Sequence, residues 1–311
     1  MKTNFWRRLE LRHLVVLHAV AEARTLWAAS EALECTPSAV SQQLSALERI
    51  AGQTLVERHR GRRQVSLTPA GAMLLRHADA VVARLRAAEA DFAALQEGAA
   101  GTLRLGTYQS IGVKMVPRLL AEFAAEWPGV EVQLVEGVDD STLLNMVERG
   151  ELDLTFATLP LTAGPFGWAR MMSDPFVLAL SSRSALQPPL GAAELEGLKL
   201  VSNQACQDQV AGYLRGLGVR PRFAFSSTDN GVVHGLVAAQ MGAAIAPRLT
   251  FDDRDPDVKL YPVGGFPARI IVVAWHRDRL RSTAAPALVA RAEAVCAELE
   301  RSQVTHPFAG G

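Results

Sequence analysis

The feature that most limits what this chain can become is an unbroken stretch beginning at Thr68-Pro69. After Gly71 it meets no helix breaker until Gly98. A capping hydroxyl followed by proline is a helix start, because the ring's missing N–H is not needed at the first helical position. Residues 69–97 would run about 43 Å at a rise of 1.5 Å per residue. Along them Leu74, Ala78, Val81, Leu85, Ala88, Phe92 and Leu95 recur in alternating steps of four and three. That spacing is a heptad seam, the pattern by which two helices pair. The expectation is a linker and dimerisation helix at 69–98 that separates two modules, with Gly98-Ala99-Ala100-Gly101 as the hinge to the second.

The first module, residues 1–68, is basic although the whole chain has no formal net charge. Residues 1–70 hold ten Lys/Arg against six Glu and no Asp, which leaves 22 basic and 26 acidic residues for the rest. A basic end on an acidic body points to a polyanion bound locally. Leu11–Ala21 reads as a helix with Leu11, Leu14, Val15, His18 and Ala21 on its inner face, His18 being a half-buried core histidine. Thr25 caps a second, short helix with Leu26, Ala29 and Leu33 inward. Glu34-Cys35 makes a tight break.

Thr36-Pro37 opens a third helix by the same start signal. Val40, Leu44 and Leu47 form a narrow inward stripe at helical spacing. The opposite face carries Ser38, Ser41, Gln42, Ser45 and Arg49, with no acid. Short side chains let a helix enter a major groove closely; hydroxyls reach phosphates, and Gln pairs two-pronged with adenine. Two short apolar runs, Leu55–Arg58 and Gln64–Leu67, then flank a Gly-containing turn and read as a hairpin. Arg58, Arg60, Arg62 and Arg63 in and beside that turn suit a wing on the DNA backbone or in the minor groove.

These segments resemble the LysR-type family of bacterial transcription regulators. The resemblance rests on Leu11-Arg12-His13-Leu14 with Ala19-Val20-Ala21-Glu22, and on Ala28-Ala29-Ser30-Glu31-Ala32-Leu33. It continues through Thr36-Pro37-Ser38-Ala39-Val40-Ser41-Gln42-Gln43-Leu44 with Leu47-Glu48, and from Leu55-Val56-Glu57-Arg58 to Leu67-Thr68-Pro69-Ala70-Gly71. It implies that Pro37, Ser38, Ser41 and Gln42 face bases while Arg58 and the wing arginines lie on the backbone; Thr36 at the helix start and Ser45 and Arg49 on its outward face are further DNA-binding candidates from the residues themselves. The chain departs from the family at Leu26-Trp27, where members usually carry a Ser/Asn-Phe or similar pair, and at Gln42, often Arg.

From residue 102 strands and helices alternate, which implies an α/β module built on a parallel sheet. Strands are expected at 102–107, 130–135, 152–157, 176–181, 199–202, 222–226, 243–246 and 269–275. Helices are expected at 116–127, 139–149, 208–217, 230–241 and 286–301, with a disordered tail at 303–311. The looser resemblance here lies in Val237-Ala238-Ala239-Gln240-Met241-Gly242-Ala243-Ala244-Ile245-Ala246-Pro247 and Ile271-Val272-Val273-Ala274-Trp275. It implies two subdomains like those of periplasmic solute-binding proteins, at about 102–163 plus 265–302 and about 164–264, with a ligand between them. In open α/β sheets ligands bind beyond the carboxyl ends of strands. The loops there are Tyr108-Gln109-Ser110, Ser202-Asn203-Gln204 and Ser226-Ser227-Thr228-Asp229, joined by Thr158; their hydroxyls and amides suit a small polar or carboxylate-bearing effector.

Other classes fare worse. The chain lacks GxGxxG, Walker, HExxH and GxSxG motifs, so no enzyme is expected, nor a cofactor or metal. No run of eighteen apolar residues occurs, so no membrane partner is expected. Met1–Arg8 has charge without an apolar stretch behind it, which is not a secretory signal. Cys35, Cys206 and Cys296 are sparse and unpaired in spacing, which places the chain in the cytoplasm. The expected partners are double-stranded promoter DNA, a small-molecule effector, a second copy or three more, and RNA polymerase where the outcome is activation. The alternatives left open are a redox-sensing regulator of the same fold, with Cys206 in a cleft loop, and a solute-binding protein with no DNA role.

Overall fold

A computed structural model describes residues 5–58, 64–97, 101–279 and 283–305. They form two compact units, Met1–Ala90 and Asp91–Gly311.

The first unit contains α1 (Phe5–Arg8), α2 (Leu11–Ala23), α3 (Leu26–Ala32), α4 (Pro37–Ala51), β1 (Val56–Arg58), β2 (Val65–Leu67) and the start of α5 (Pro69–Glu97). Each helix begins or ends where local chemistry dictates. Thr25 and Thr36 hydroxyls accept the Ala28 and Ala39 amides at 3.1 and 3.2 Å, and Gly52 stops α4 in the left-handed region. The inner face expected for α2 is too narrow. His13, Leu14, Val16, Leu17, Ala19 and Val20 are the buried residues, whereas Leu11 is 44% exposed. The reason is that α2 packs against α3 and α4 at once, so two adjoining stripes are covered instead of one.

Where α5 starts, its backbone lies directly on the wing strand. The Thr68 amide donates to the Leu55 carbonyl (3.0 Å), and the Thr68 hydroxyl donates to the Thr54 carbonyl (2.7 Å). A Cβ on Gly71 would fall 2.0 Å from the Leu55 carbonyl oxygen, so only glycine permits this approach.

The second unit contains β3 (Gly101–Thr107), α6 (Gln109–Lys114), α7 (Val116–Glu126), β4 (Val130–Glu136), α8 (Asp140–Arg149), β5 (Leu154–Thr158), β6 (Phe166–Asp174), β7 (Phe176–Ser181) and α9 (Ala192–Gly197). It continues with β8 (Lys199–Asn203), α10 (Gln207–Gly216), β9 (Arg222–Ser227), α11 (Asn230–Ala238), β10 (Ala244–Pro247), β11 (Val258–Pro262), β12 (Arg269–His276) and α12 (Ala284–Thr305). One sheet has the order β4-β3-β5-β12-β6. Leu103, Leu105, Phe156 and Ile271 pack against α7 and α12 on one of its faces, while Leu144, Val147 and Val272 make a separate core beneath α8. The other subdomain pairs β10-β7-β11 and β8-β9 around Phe176, Leu200, Leu214 and Val237.

Three expectations are corrected here. The first sheet is mixed, not parallel: β3 runs parallel to β4 and β5, but β12 runs antiparallel to both β5 and β6. The chain leaves this sheet at the end of β6 and re-enters it at the same end, Arg269 opposite Asp174, so the returning strand points the opposite way. The boundary expected near 163–164 falls too early, because β6 hydrogen-bonds to β12 in the first sheet and the crossing comes after Asp174. The tail does not begin at Gln303, since α12 continues to Thr305.

Candidate functional site

The face of α4 opposite its core stripe is the first candidate site. Val40, Leu44 and Leu47 are wholly inaccessible, which fixes the rotation of the helix. That rotation leaves Thr36, Pro37, Ser38, Gln42 and Arg49 exposed, with Ser41 and Ser45 half-buried at the edge of the stripe. Thr36 and Ser38 hydroxyls lie 3.0 Å apart, and Arg49 Nε donates to the Ser45 carbonyl at 3.4 Å. Beside this helix β1 and β2 pair antiparallel, Arg58 opposite Val65. Glu48 holds the hairpin against α4, its Oε1 accepting the amides of Leu55 (2.9 Å) and Val56 (3.3 Å). The Val65 amide donates to the Arg24 carbonyl (2.9 Å), so the wing is anchored at both strands. Arg60, Arg62 and Arg63 lie outside the described residues.

The heptad seam divides along its length. Leu74 packs into the core of the DNA-binding module, and Ala78 is fully buried with Val82 beside it. Ala78 is thus covered within one chain and has no surface to offer a partner, while Leu74 stays partly exposed at the edge of that core. Val81 and Leu85 are each 42% exposed, and Ala88 continues the spacing one turn further on α5, as do Phe92 and Leu95. Ala88 is exposed, and the side chains of Phe92 and Leu95 lie outside the described residues.

The second candidate site lies where the expected effector loops meet. Gln109 Oε1, at the start of α6, accepts the Asn230 amide (2.7 Å) at the start of α11, which joins the two subdomains. Asn203 Nδ2 donates to Asn230 Oδ1 (2.6 Å). Asp229 is held below the usual carboxylate range by the Gly231 amide, then by the Gln109 side chain and the Val232 amide. Thus Gln109, Asn203 and Asp229 come together around Asn230. Ser202 spends its hydroxyl on the Asn203 carbonyl (3.1 Å), Ser226 on Gln207 Oε1 (2.9 Å), and Ser227 accepts the Asp229 amide (3.1 Å). Gln204 and Thr228 lie beside these groups without a part in the junction itself.

Beneath this junction lies a charged group that the sequence pattern does not reveal. Arg269, first residue of β12, stands opposite Asp174, last residue of β6. Its Nη2 is 2.7 Å from Asp174 Oδ2, its Nε donates to the same oxygen at 2.8 Å, and Nη2 also donates to Ser110 Oγ at 2.8 Å. Asp174 is fully inaccessible; burial pushes its carboxyl up, and Arg269 opposes that shift. Its Oδ1 accepts the Leu249 amide (3.2 Å) from the other subdomain. The guanidinium lies 5.2 Å from the centre of the Tyr108 ring, a cation–π distance. Burial raises the Tyr108 phenol, whose hydroxyl has no hydrogen-bond partner among the described residues. Thr158 faces Asp140, whose Oδ2 accepts the Thr158 amide (2.8 Å) and its hydroxyl. Asp139 does cap α8, through the Thr142 amide at 2.7 Å. The register of β6 with β12 is what finds Arg269 and Asp174, and β6 is absent from the strands expected on pattern alone.

The arrangement defines a class: a winged helix-turn-helix joined by a long helix to a two-subdomain binding module. The model for the bacterial regulatory helix-turn-helix proteins of the lysR family matches residues 11–72, and that for the LysR substrate binding domain matches 96–297. The HTH-type transcriptional regulator CfxR of Cupriavidus necator is 29% identical over 90% of this chain and 88% of its own. A probable hydrogen peroxide-inducible genes activator of Mycobacterium avium is 34% identical over 66% and 67%. Among solved structures, full-length CbnR complexed with its target DNA is 21% identical, covering 92% of this chain and 100% of that one at a TM-score of 0.63. A full-length single-residue variant of OxyR from Pseudomonas aeruginosa reaches 0.64 at 19% identity, with 91% and 97% covered. The chain belongs to the LysR family, as a DNA-binding transcription regulator with a C-terminal effector-binding domain. Among the described residues no helix is long and apolar enough to cross a membrane.

Proposed function

We propose that α4 reads a major groove with Pro37, Ser38, Ser41 and Gln42, flanked by Thr36, Ser45 and Arg49, and that the wing from Arg58 to Arg63 grips the backbone. The observation that carries this is the polar, acid-free face of α4, rotated outward by a fully buried apolar stripe. The working unit is a homodimer or a dimer of dimers, paired along α5 at Val81 and Leu85 and, by spacing, Ala88, Phe92 and Leu95. The DNA-binding domain ends at residue 68 and the linker at 98. The effector-binding domain follows from 102, its first subdomain being 102–174 and 265–305. A small polar effector binds at the junction of Gln109, Ser110, Asn203 and Asp229 and shifts the balance between two placements of the DNA-binding modules. The protein performs no catalysis of its own, acts in the cytoplasm where its promoter DNA lies, and engages RNA polymerase where it activates.

Selection of genomic fragments by the purified full-length protein tests the reading. Enrichment of a few sites sharing an inverted repeat is the expected result; indiscriminate binding at low salt would refute it. On a selected site Gln42→Ala is expected to remove about 1–3 kcal/mol of discrimination against the wrong base. Equal weakening on selected and scrambled duplexes would take the base-reading role away from Gln42.

The resemblance to the hydrogen peroxide-inducible activator favours one second reading, in which a cysteine senses oxidant. The burial of two thiols argues against it. Burial pushes Cys206 up to about 11 and Cys296 up to about 12, and the thiolate is the reactive form. Cys35 is exposed. A chromogenic disulfide reagent at pH 7 should therefore titrate one thiol quickly in the native protein and all three after denaturation. A second fast thiol would reinstate the redox reading.

A further inference from the structure

The DNA-binding unit contains a side-chain cluster that base reading and core packing leave unexplained. His18, on α2, places Nδ1 2.7 Å from Asp79 Oδ1 on α5, while its Nε2 lies 3.7 Å from Glu22 Oε2 one turn further along α2. An ionised carboxylate only accepts, so Nδ1 carries the proton and donates to Asp79. The imidazole is largely covered, at 25% side-chain exposure, while the Asp79 carboxylate is 40% exposed, so water competes for the bond from the Asp79 side only.

The position of this contact along α5 gives it its meaning. The helix is pinned first at residues 68–71, where the Thr68 hydroxyl donates to the Thr54 carbonyl and Gly71 sits against the Leu55 carbonyl. Asp79 is eight residues past Gly71, about 12 Å along the axis. Two fixed points define the direction of a rigid helix. Ala78 and Val82 are buried around the second point, whereas the seam residue Leu85 beyond it is exposed. Apolar packing resists lifting the helix off its bed but resists sideways tilt weakly, since it is non-directional; a short hydrogen bond fixes the tilt.

We infer that the His18–Asp79 pair is a positioning contact that sets the angle at which α5 leaves the DNA-binding module, and so the separation of the two half-sites that a dimer reads. The inference rests on the dimeric regulator proposed above. With two modules held by paired helices, their spacing follows the exit angle of each helix. A tilt of about 10° acting over a lever of about 20 Å, the size of such a module, moves the far end by about 3.5 Å. That displacement is one base-pair rise, about 3.4 Å.

The test is selection from a random duplex library with full-length protein, reading both half-site sequence and spacing. His18→Leu keeps the half-buried volume without the donor, Asp79→Ala removes the acceptor, and His18→Asn presents an amide N–H near the position of Nδ1. The expected result is the same half-site sequence in the wild type and all three variants, with the preferred spacing shifted by about one base pair or more, or no longer defined, in His18→Leu and Asp79→Ala. His18→Asn should restore the wild-type spacing. Asp79, on the outer side of the contact, keeps the test available if His18→Leu folds poorly. Unchanged spacing in both variants, with only affinity or melting temperature lowered, would reduce the pair to a structural contact and overturn the inference. Wild-type protein that enriches single half-sites with no second one at fixed distance would instead overturn the dimeric reading, and this inference with it.

Discussion

Asp174→Ala is expected to destabilise the effector-binding domain by about 3–5 kcal/mol, the cost of leaving a buried charge without its partner. Asp174 is wholly inaccessible and takes two contacts from Arg269 and one from the Leu249 amide. Its removal strands a guanidinium whose charge cannot be neutralised by losing a proton, since arginine stays protonated. The pair also stands where both crossovers leave the first sheet, so the damage reaches both subdomains. Urea unfolding of Asp174→Ala beside the double variant Asp174→Ala/Arg269→Met measures it. The double variant should recover most of the loss, because it removes the stranded charge while keeping much of the side-chain volume. A loss below about 1 kcal/mol in the single variant would show that solvent reaches Arg269 and that the pair is a surface contact in energetic terms.

Leu44→Ala should have an effect of similar size confined to the other unit. Leu44 is fully buried in the core that also holds Leu17, Leu47 and Leu55. Truncation to alanine in such a core costs about 2–5 kcal/mol, from lost burial and the cavity left behind. The unit ending at Ala90 is small, so this is a large share of its stability. Calorimetry on the full chain should show the transition of the DNA-binding unit moved down while that of the effector-binding domain stays in place. DNA binding should be lost at the temperature where the shifted transition begins. Gln42→Ala, two residues away but exposed, should leave both transitions within about 0.5 kcal/mol. One cooperative transition shifting as a whole would mean that the two units unfold together.

The DNA-binding module is legible in the sequence because its elements announce themselves locally. Thr36-Pro37 starts α4, Val40, Leu44 and Leu47 repeat at helical spacing, and Gly52 ends it. Legibility fails where the determinant is remote in the chain. The pattern of α2 alone assigns His18 to a core, because its partner Asp79 lies 61 positions away. The inner face of α2 is wider than a single stripe because two helices cover it. The strand β6 is hidden because Phe166–Asp174 alternates irregularly, mixing Gly167, Arg170 and two methionines against a register shift at Ile271/Val272. Without β6 nothing brings Asp174 to Arg269, so the charged centre beneath the junction of Gln109, Asn203 and Asp229 cannot be read from the chain. The loops themselves are legible because polar residues at strand ends signal caps and ligands alike; the structure shows Ser226 and Ser227 occupied as local hydrogen-bonding residues.

The place of β12 in the first sheet has a consequence for how the protein is made. It lies between β5 and β6, two strands that both precede the whole β7–β11 subdomain in the chain. While the ribosome is still extending the chain, β5 and β6 have no common neighbour, and Phe156 and Met172 have no Ile271 or Val273 to pack against. The DNA-binding unit and the β7–β11 subdomain are continuous in sequence and complete themselves earlier, since domains fold as units during synthesis. The first sheet closes only when Arg269–His276 has emerged, and its cover by α12 comes later still, since Ala284–Thr305 follows β12 in the chain. A nascent chain halted before β12 would therefore hold a finished reading head beside an effector module with an open sheet edge, the part on which chaperones would act.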